Sequence, residues 1–280
     1  MATEQEQRQK GMMREQWSSA ARTWAAQHDL LSESSKEATA ALVEAADLKP
    51  GHTVLDLAGG TGEPSLTVAQ RVQPGGTVIC TDLTDEMLAA AEENAKKQGL
   101  ANMSFRRVDA ESIPLEDASV DRVTCRFGIM FCPDAVAALR EVRRVLRPGG
   151  RAAFAVWAPA VENPMFHVTN AVLFAHGLAQ PPPPGALTPF TFAEPGSLSA
   201  KMREAGFSEV HEERRDIGWS WPGPPESHIQ FMRATQPTTQ RALDGAPSAV
   251  IEELKAAMGK YYDGKKINYG ARIYVAWGVK

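Results

Sequence analysis

Trp17, Ala20, Ala21, Trp24 and His28 fall at spacings of three and four, which lays a mostly apolar stripe along one helical face. A second helix is predicted over about Ser34 to Ala46, opening at a serine cluster and stopping before Lys49-Pro50-Gly51. The texture then changes. Short apolar runs predict strands at Thr53–Leu57, Thr77–Thr81, Met103–Val108, Val120–Arg126 and Arg151–Trp157. Between them, helices are predicted from Pro64, whose missing N–H suits a first turn, from Asp85 to Gln98, and from Asp134 to Leu146. Strands alternating with helices imply a parallel sheet covered on both faces and doubly wound by right-handed crossovers.

After Trp157 the pattern loosens. Helices are expected over 163–178, 193–205 and around 247–262, with a stiff loop at Pro181-Pro182-Pro183-Pro184-Gly185. Strand-like runs near 207–219 and 270–279 predict a closing antiparallel pair. The expected architecture is therefore a Rossmann-like doubly wound α/β sheet, mostly parallel. Residues 1–45 form a helical cap, 46–158 the cofactor-binding core, 159–205 an insertion covering the substrate, and 206–280 complete the same domain.

Ligands of such sheets bind beyond the carboxyl ends of the strands, near the point where strand order reverses. That places the chemistry just after Asp56, Asp82, Asp109 and Arg126. The first strand runs into Asp56-Leu57-Ala58-Gly59-Gly60-Thr61-Gly62, where small residues let backbone approach a ligand and the next helix N-terminus favours anionic groups. Asp82 stands 20 residues after Gly62, where a carboxylate accepts from ribose hydroxyls. A dinucleotide fingerprint needs a third glycine; here Ser65 takes that place, and Glu63 would set a negative charge beside a pyrophosphate. A cofactor carrying a sulfonium and an ammonium suits this acidic loop better, with Asp56 and Glu63 supplying the acidity. In Asp109-Ala110-Glu111 a carboxylate faces an adenine amino group and an N–H a ring nitrogen. Arg126 and Phe127 would floor the reactive end. Taken singly, Asp56 also reads as a turn cap and Asp82 as the cap of the helix that follows.

The 280 residues are 43% hydrophobic and 23% charged, enough apolar mass for a real core. A net charge of -4 lacks the basic footprint of a nucleic-acid partner. The three cysteines, Cys80, Cys125 and Cys132, suggest neither a disulfide framework nor a metal cluster, so no metal is expected. The polar N-terminus has no apolar signal core, and no run approaches the roughly 18 apolar residues of a membrane span. A soluble, cytoplasmic protein is expected; oligomeric state leaves no trace in the sequence.

In order and spacing, residues 53–157 resemble the core of class I S-adenosylmethionine-dependent methyltransferases, within the group similar to ubiquinone/menaquinone C-methyltransferases. The resemblance rests on Val54 to Gly62, Thr81-Asp82-Leu83 leading to Met87-Leu88, Asp109-Ala110-Glu111, Pro114-Leu115, Phe127-Gly128 and Leu139 to Gly150. It implies S-adenosyl-L-methionine as cofactor and methyl transfer as the reaction. It implies that Gly60 and Gly62 border the methionine moiety, that Asp82 holds the ribose, and that Asp109 and Ala110 recognise adenine. Ala58 departs from the glycine usual there. C-methylation of a quinol or phenol-like ring is suggested by the resemblance alone.

Positioning supplies much of the rate of an in-line methyl displacement, and no nucleophile–base pair stands out. His28 and His167 are the candidates for a base. Trp17, Trp24 and Phe131 are expected to line a pocket for a small, largely apolar or aromatic acceptor. Competing readings are a nicotinamide oxidoreductase, disfavoured by Ser65 and Glu63, and a non-catalytic cofactor-binding module. A protein or nucleic-acid methyltransferase is a fourth.

Overall fold

The computed structural model describes residues 4–183 and 185–280. Pro184 of the predicted stiff loop and residues 1–3 lie outside the described residues. Three helices come first: α1 (Glu4–Ala26), α2 (His28–Ser34) and α3 (Lys36–Ala45). The core follows as β1 (Thr53–Leu57), α4 (Ser65–Arg71), β2 (Thr77–Asp82), α5 (Asp85–Lys97), β3 (Met103–Arg107), β4 (Val120–Arg126), α6 (Ala135–Val145) and β5 (Leu146–Trp157). Local chemistry sets these bounds. Thr84 accepts from Met87 N at the start of α5, and Asp134 from Ala137 N at the start of α6. Acidic residues open α5 and lysines close it, in line with the helix dipole.

The remaining elements are α7 (Pro164–Ala175), α8 (Ser197–Glu204), β6 (Ser208–Ile217), β7 (Ser220–Pro222), α9 (Pro225–Thr235), α10 (Pro237–Asp244), α11 (Ser248–Gly259), β8 (Lys266–Asn268) and β9 (Ala271–Val279). α8 starts later than the predicted 193–205 helix. Pro195 disfavours helix at Glu194, and Gly196 enters the left-handed region with φ +81. α9 and α10 stand between the 207–219 run and the helix around 247–262, where no element is expected. Pro225 and Pro237 open these helices instead of breaking them. The strand-like run 207–219 is β6 over most of its length and pairs antiparallel with β9, as expected; just beyond it, β7 joins β8 in a small separate sheet.

The seven-stranded sheet has the order β3-β2-β1-β4-β5-β9-β6. β9 runs antiparallel to β5 and β6; the other pairs are parallel. Consecutive residues of β1 enter different packing clusters. Val54 joins Val43, Val68 and Val72, whereas Leu55 and Leu57 join the large core with Leu139, Val142 and Phe154. A strand buried this way needs an apolar run rather than alternation. A third cluster ties α7, α9, α10 and α11 through Val172, Met232, Leu243 and Leu254. After β1 the chain steps outward to β2 and β3, then crosses back to β4. The reversal lies between β1 and β4.

Candidate active site

A cavity sits at that reversal. Its floor is the β1 exit, Leu57 to Thr61, and the β4 exit, Arg126 to Gly128. Gly60 has φ +55 with nothing near a built Cβ, so the loop presents bare backbone. Ala58, φ +54, also lies in the left-handed region, and its Cβ would stand 2.4 Å from a Cβ on Gly128. Alanine in the first loop is thus accommodated by glycine in the second. Phe127 is left-handed too, φ +59, and its ring stacks on Trp157 with centroids 4.1 Å apart.

Asp82 ends β2 with its carboxylate accepting from Gly60 N at 3.1 Å, Thr84 N at 3.1 Å and Thr84 Oγ1 at 3.2 Å. Burial raises its pKa against the pull of those hydrogen bonds. Leu83 and Met87 line the cavity beside it. Asp109, Ala110 and Glu111 line it beyond β3, and Lys10 of α1 reaches down to bind both carboxylates. Its Nζ is 2.7 Å from Asp109 Oδ2 and 2.6 Å from Glu111 Oε2. Arg126 donates to Ser35 Oγ, Thr39 Oγ1 and the Glu63 carbonyl, pinning α3 and the segment before α4 to the strand end.

Trp17 and Trp24 of α1 roof the cavity with Phe131. Trp17 meets Trp24 at 5.8 Å and Phe131 at 5.5 Å, both edge-on, and Trp24 rests on Phe231 of α9 at 6.0 Å. His28, at the start of α2, also lines the cavity, its Nδ1 3.0 Å from Thr61 Oγ1.

Three residues singled out in the sequence stand elsewhere. Asp56 is fully buried beneath the loop, accepting from Ser65 Oγ and Thr124 Oγ1, each at 2.5 Å, and does not line the cavity. Burial pushes its pKa up to about 6, against those two hydroxyls. Of the two acidic residues expected at the loop, Glu63 lines the cavity and Asp56 does not. Gly62 turns the chain with φ +124 and packs on Leu66, away from the lining. His167 lies on the exposed face of α7, because Val168 and Val172 hold the other face against α9–α11. None of the described residues of 159–205 lines the cavity.

The ubiE/COQ5 methyltransferase family profile matches residues 3–178, well over half of the chain. The chain belongs to the ubiE/COQ5 methyltransferase family. Over 106 residues this family member is 44% identical to the ubiquinone/menaquinone biosynthesis C-methyltransferase UbiE of Acidiphilium cryptum, covering 38% of this chain and 42% of that protein. Over 116 residues it is 42% identical to an uncharacterised protein of Mycobacterium tuberculosis, covering 41% of each. The matches thus span less than half the length of these curated relatives. Its fold is similar to that of the YcgJ protein from Bacillus subtilis, with a TM-score of 0.55, 23% identity, and coverage of 88% of this chain and 98% of that one. It is also similar to the [4+2]-cyclase SpnF, with a TM-score of 0.53, 19% identity, and coverage of 92% and 94%. Within the family member's own cavity, Lys10, Met13, Leu31 and Thr61 line the wall although sequence reasoning did not single them out as site residues. Continuing the Trp17–Trp24–His28 stripe two turns back would have found Met13 and Lys10.

Proposed function

We propose that this chain binds S-adenosylmethionine in the cavity between the β1 and β4 exits and transfers its methyl group to a small, largely apolar or aromatic acceptor. One observation carries the reading: Asp82, Asp109, Ala110, the bare Gly60 turn and an aromatic roof converge on one cavity in a chain of a methyltransferase family. The residues suit the cofactor. Asp82 is oriented by Gly60 and Thr84 and lines the cavity, where its carboxylate would accept from a ribose hydroxyl. Asp109 and the Ala110 N–H would hold an adenine edge and Glu63 a cationic end, while Arg126, bound to Ser35, Thr39 and the Glu63 carbonyl, would hold the wall between them in place. A pyrophosphate would meet Glu63, and Ser65 occupies the helix-packing place with a buried hydroxyl bound to Asp56. Both features oppose a nicotinamide dinucleotide.

S-adenosylmethionine supplies a methyl carbon activated by positive sulfur. The chain supplies alignment and exclusion of water: Trp17, Trp24 and Phe131 close the apolar end, where a quinol- or phenol-like ring fits best. Among the described residues no helix is long and apolar enough to cross a membrane, and our reading places the reaction in the cytoplasm. Fold alone does not choose the reaction, so binding must be measured. The demethylated cofactor, S-adenosylhomocysteine, is expected to raise the melting temperature by mass action while NADH does not. Asp82→Asn should weaken it at least tenfold, since a hydrogen bond to a charged group contributes about 1.5–3 kcal/mol. Stabilisation by NADH alone would overturn the reading.

A further inference from the structure

His28 lines the cavity at the start of α2, and none of the contacts assigned above to the cofactor uses it. It is 6% exposed. Its Nδ1 is committed to Thr61 Oγ1 at 3.0 Å, whereas its Nε2 has only Ser32 Oγ at 3.5 Å, the outer limit of a hydrogen bond. His28 also lines a second, polar groove between α2–α3 and the segment from Glu63 to Arg71. Asp29, Glu33 and Lys36 stand exposed along that groove, and Ser32 and Glu63 are shared by both spaces. His28 therefore forms part of the wall between an apolar chamber and a polar passage to water.

We infer that His28 is the general base of the methyl transfer, taking the acceptor's proton on Nε2 and releasing it through the groove; this rests on the methyltransferase reading above. Thr61 is the positioning residue. In the proposed tautomer its Oγ1 accepts from Nδ1–H at 3.0 Å, which leaves the lone pair on Nε2. The acceptor's O–H bond breaks and its proton passes to Nε2. Oxygen, or a ring carbon activated by it, then bonds to the methyl carbon. The carbon–sulfur bond breaks with its electron pair kept by sulfur, which loses its positive charge. Attack through carbon expels the ring proton and restores the hydroxyl, so one proton leaves either way.

The charges facing His28 come from every element around it: Asp29, Glu33 and Lys36 from the cap, Glu63 from the loop, Arg71 from α4, Lys97 from α5 and Arg126 from β4. Burial, opposed by Asp29 and reinforced by Arg126 and Lys97, holds the imidazole below its ordinary value. It is then neutral and able to accept a proton at neutral pH.

The test uses the full chain with labelled S-adenosylmethionine and 1,4-naphthalenediol, kept reduced, as acceptor probe. In the parent, kcat should rise with pH through a single ionisation below about 6.5 and then level. His28→Gln should lose on the order of 100-fold or more in kcat, with a flat acid limb, while binding S-adenosylhomocysteine within threefold of the parent. Added imidazole should restore part of the turnover of His28→Ala. Thr61→Val should lower kcat and displace the acid limb, and Thr61→Ser should recover both. Parent-like kcat and pH profile in His28→Gln would overturn the inference and leave the methyltransferase reading standing. So would a parent that binds S-adenosylhomocysteine but does not methylate the diol. A parent that fails to bind S-adenosylhomocysteine would remove the reading itself.

Discussion

Asp56 and Asp82 end neighbouring parallel strands, yet their surroundings make them different groups. Asp82 keeps an acceptor position toward the cavity, while Asp56 is sealed under the loop by Ser65 and Thr124. Burial raises the Asp56 pKa to about 6, whereas in the unfolded chain an aspartate titrates near 3.9. The folded state therefore holds a proton that the unfolded state has lost, so this group's contribution is complete below about pH 4 and disappears as pH rises through about 6. The gap corresponds to about 3 kcal/mol. Asp56→Asn stays neutral throughout, and either hydroxyl can turn to accept from its amide. Urea melts at pH 4.5 and 7.5 should show the variant gaining on the parent by about 2 kcal/mol between the two, because part of the gap is already lost by pH 4.5; a constant difference would show that Asp56 is ionised in the fold at both values. Position along the chain was enough to place Asp82 and Asp109 at the site. It was not enough for Asp56, because its partners lie 9 and 68 residues away, and no local pattern tells whether a strand-end carboxylate faces a ligand or the core.

α1 is the element that completes the cavity. It packs against α5 and α9 and contributes Lys10, Met13, Trp17 and Trp24 to the lining. Lys10 bridges Asp109 and Glu111, with Glu111 only 6% exposed and Lys10 20%. Burial works against its charge, but the hydrogen bonds to both carboxylates outweigh it and lift its pKa. So little exposed a pair is screened less than a surface ion pair. Removing the cation leaves Glu111 with only the Asp134 N–H as a partner. If α1 closes over bound cofactor, Lys10→Met should speed release of S-adenosylhomocysteine about tenfold, and the parent's release, unlike the variant's, should quicken with salt. Stopped-flow release in low and high sodium chloride measures both; equal rates in parent and variant would mean that α1 is docked independently of Lys10. Periodicity predicts the helix and its tryptophan face, but a lysine on an apolar stripe reads as a break in it. The same ambiguity hides α9 and α10, whose opening prolines look like loop until neighbours bury their apolar sides.

At the scale of the whole molecule, the sheet closes only when the last strand arrives. β9 enters between β5 and β6, hydrogen-bonded on both sides, after an excursion through α9, α10 and α11. Alternation of strands and helices makes the parallel half legible, because each unit is complete within about 30 residues. The pairing of β9 with β6 follows from the two late strand-like runs, but its place between β6 and β5 is not legible that way, because β5 ends at Trp157, far earlier in the chain. Ile273, Val275 and Ala276 are fully buried in the main core, and none of residues 271–280 touches the cavity. Fully burying an aliphatic side chain of this size contributes about 1.5–3 kcal/mol, against a total stability of roughly 5–15 kcal/mol for a domain. Removing the strand also orphans the facing backbone groups of β5 and β6. Deletion of residues 271–280 should therefore abolish the cooperative thermal transition and, with it, stabilisation by S-adenosylhomocysteine, although every cavity residue is still present. Circular dichroism melts with and without the ligand decide the matter. A truncated chain that melts cooperatively and is still stabilised would show that the cofactor half of the sheet folds without β9.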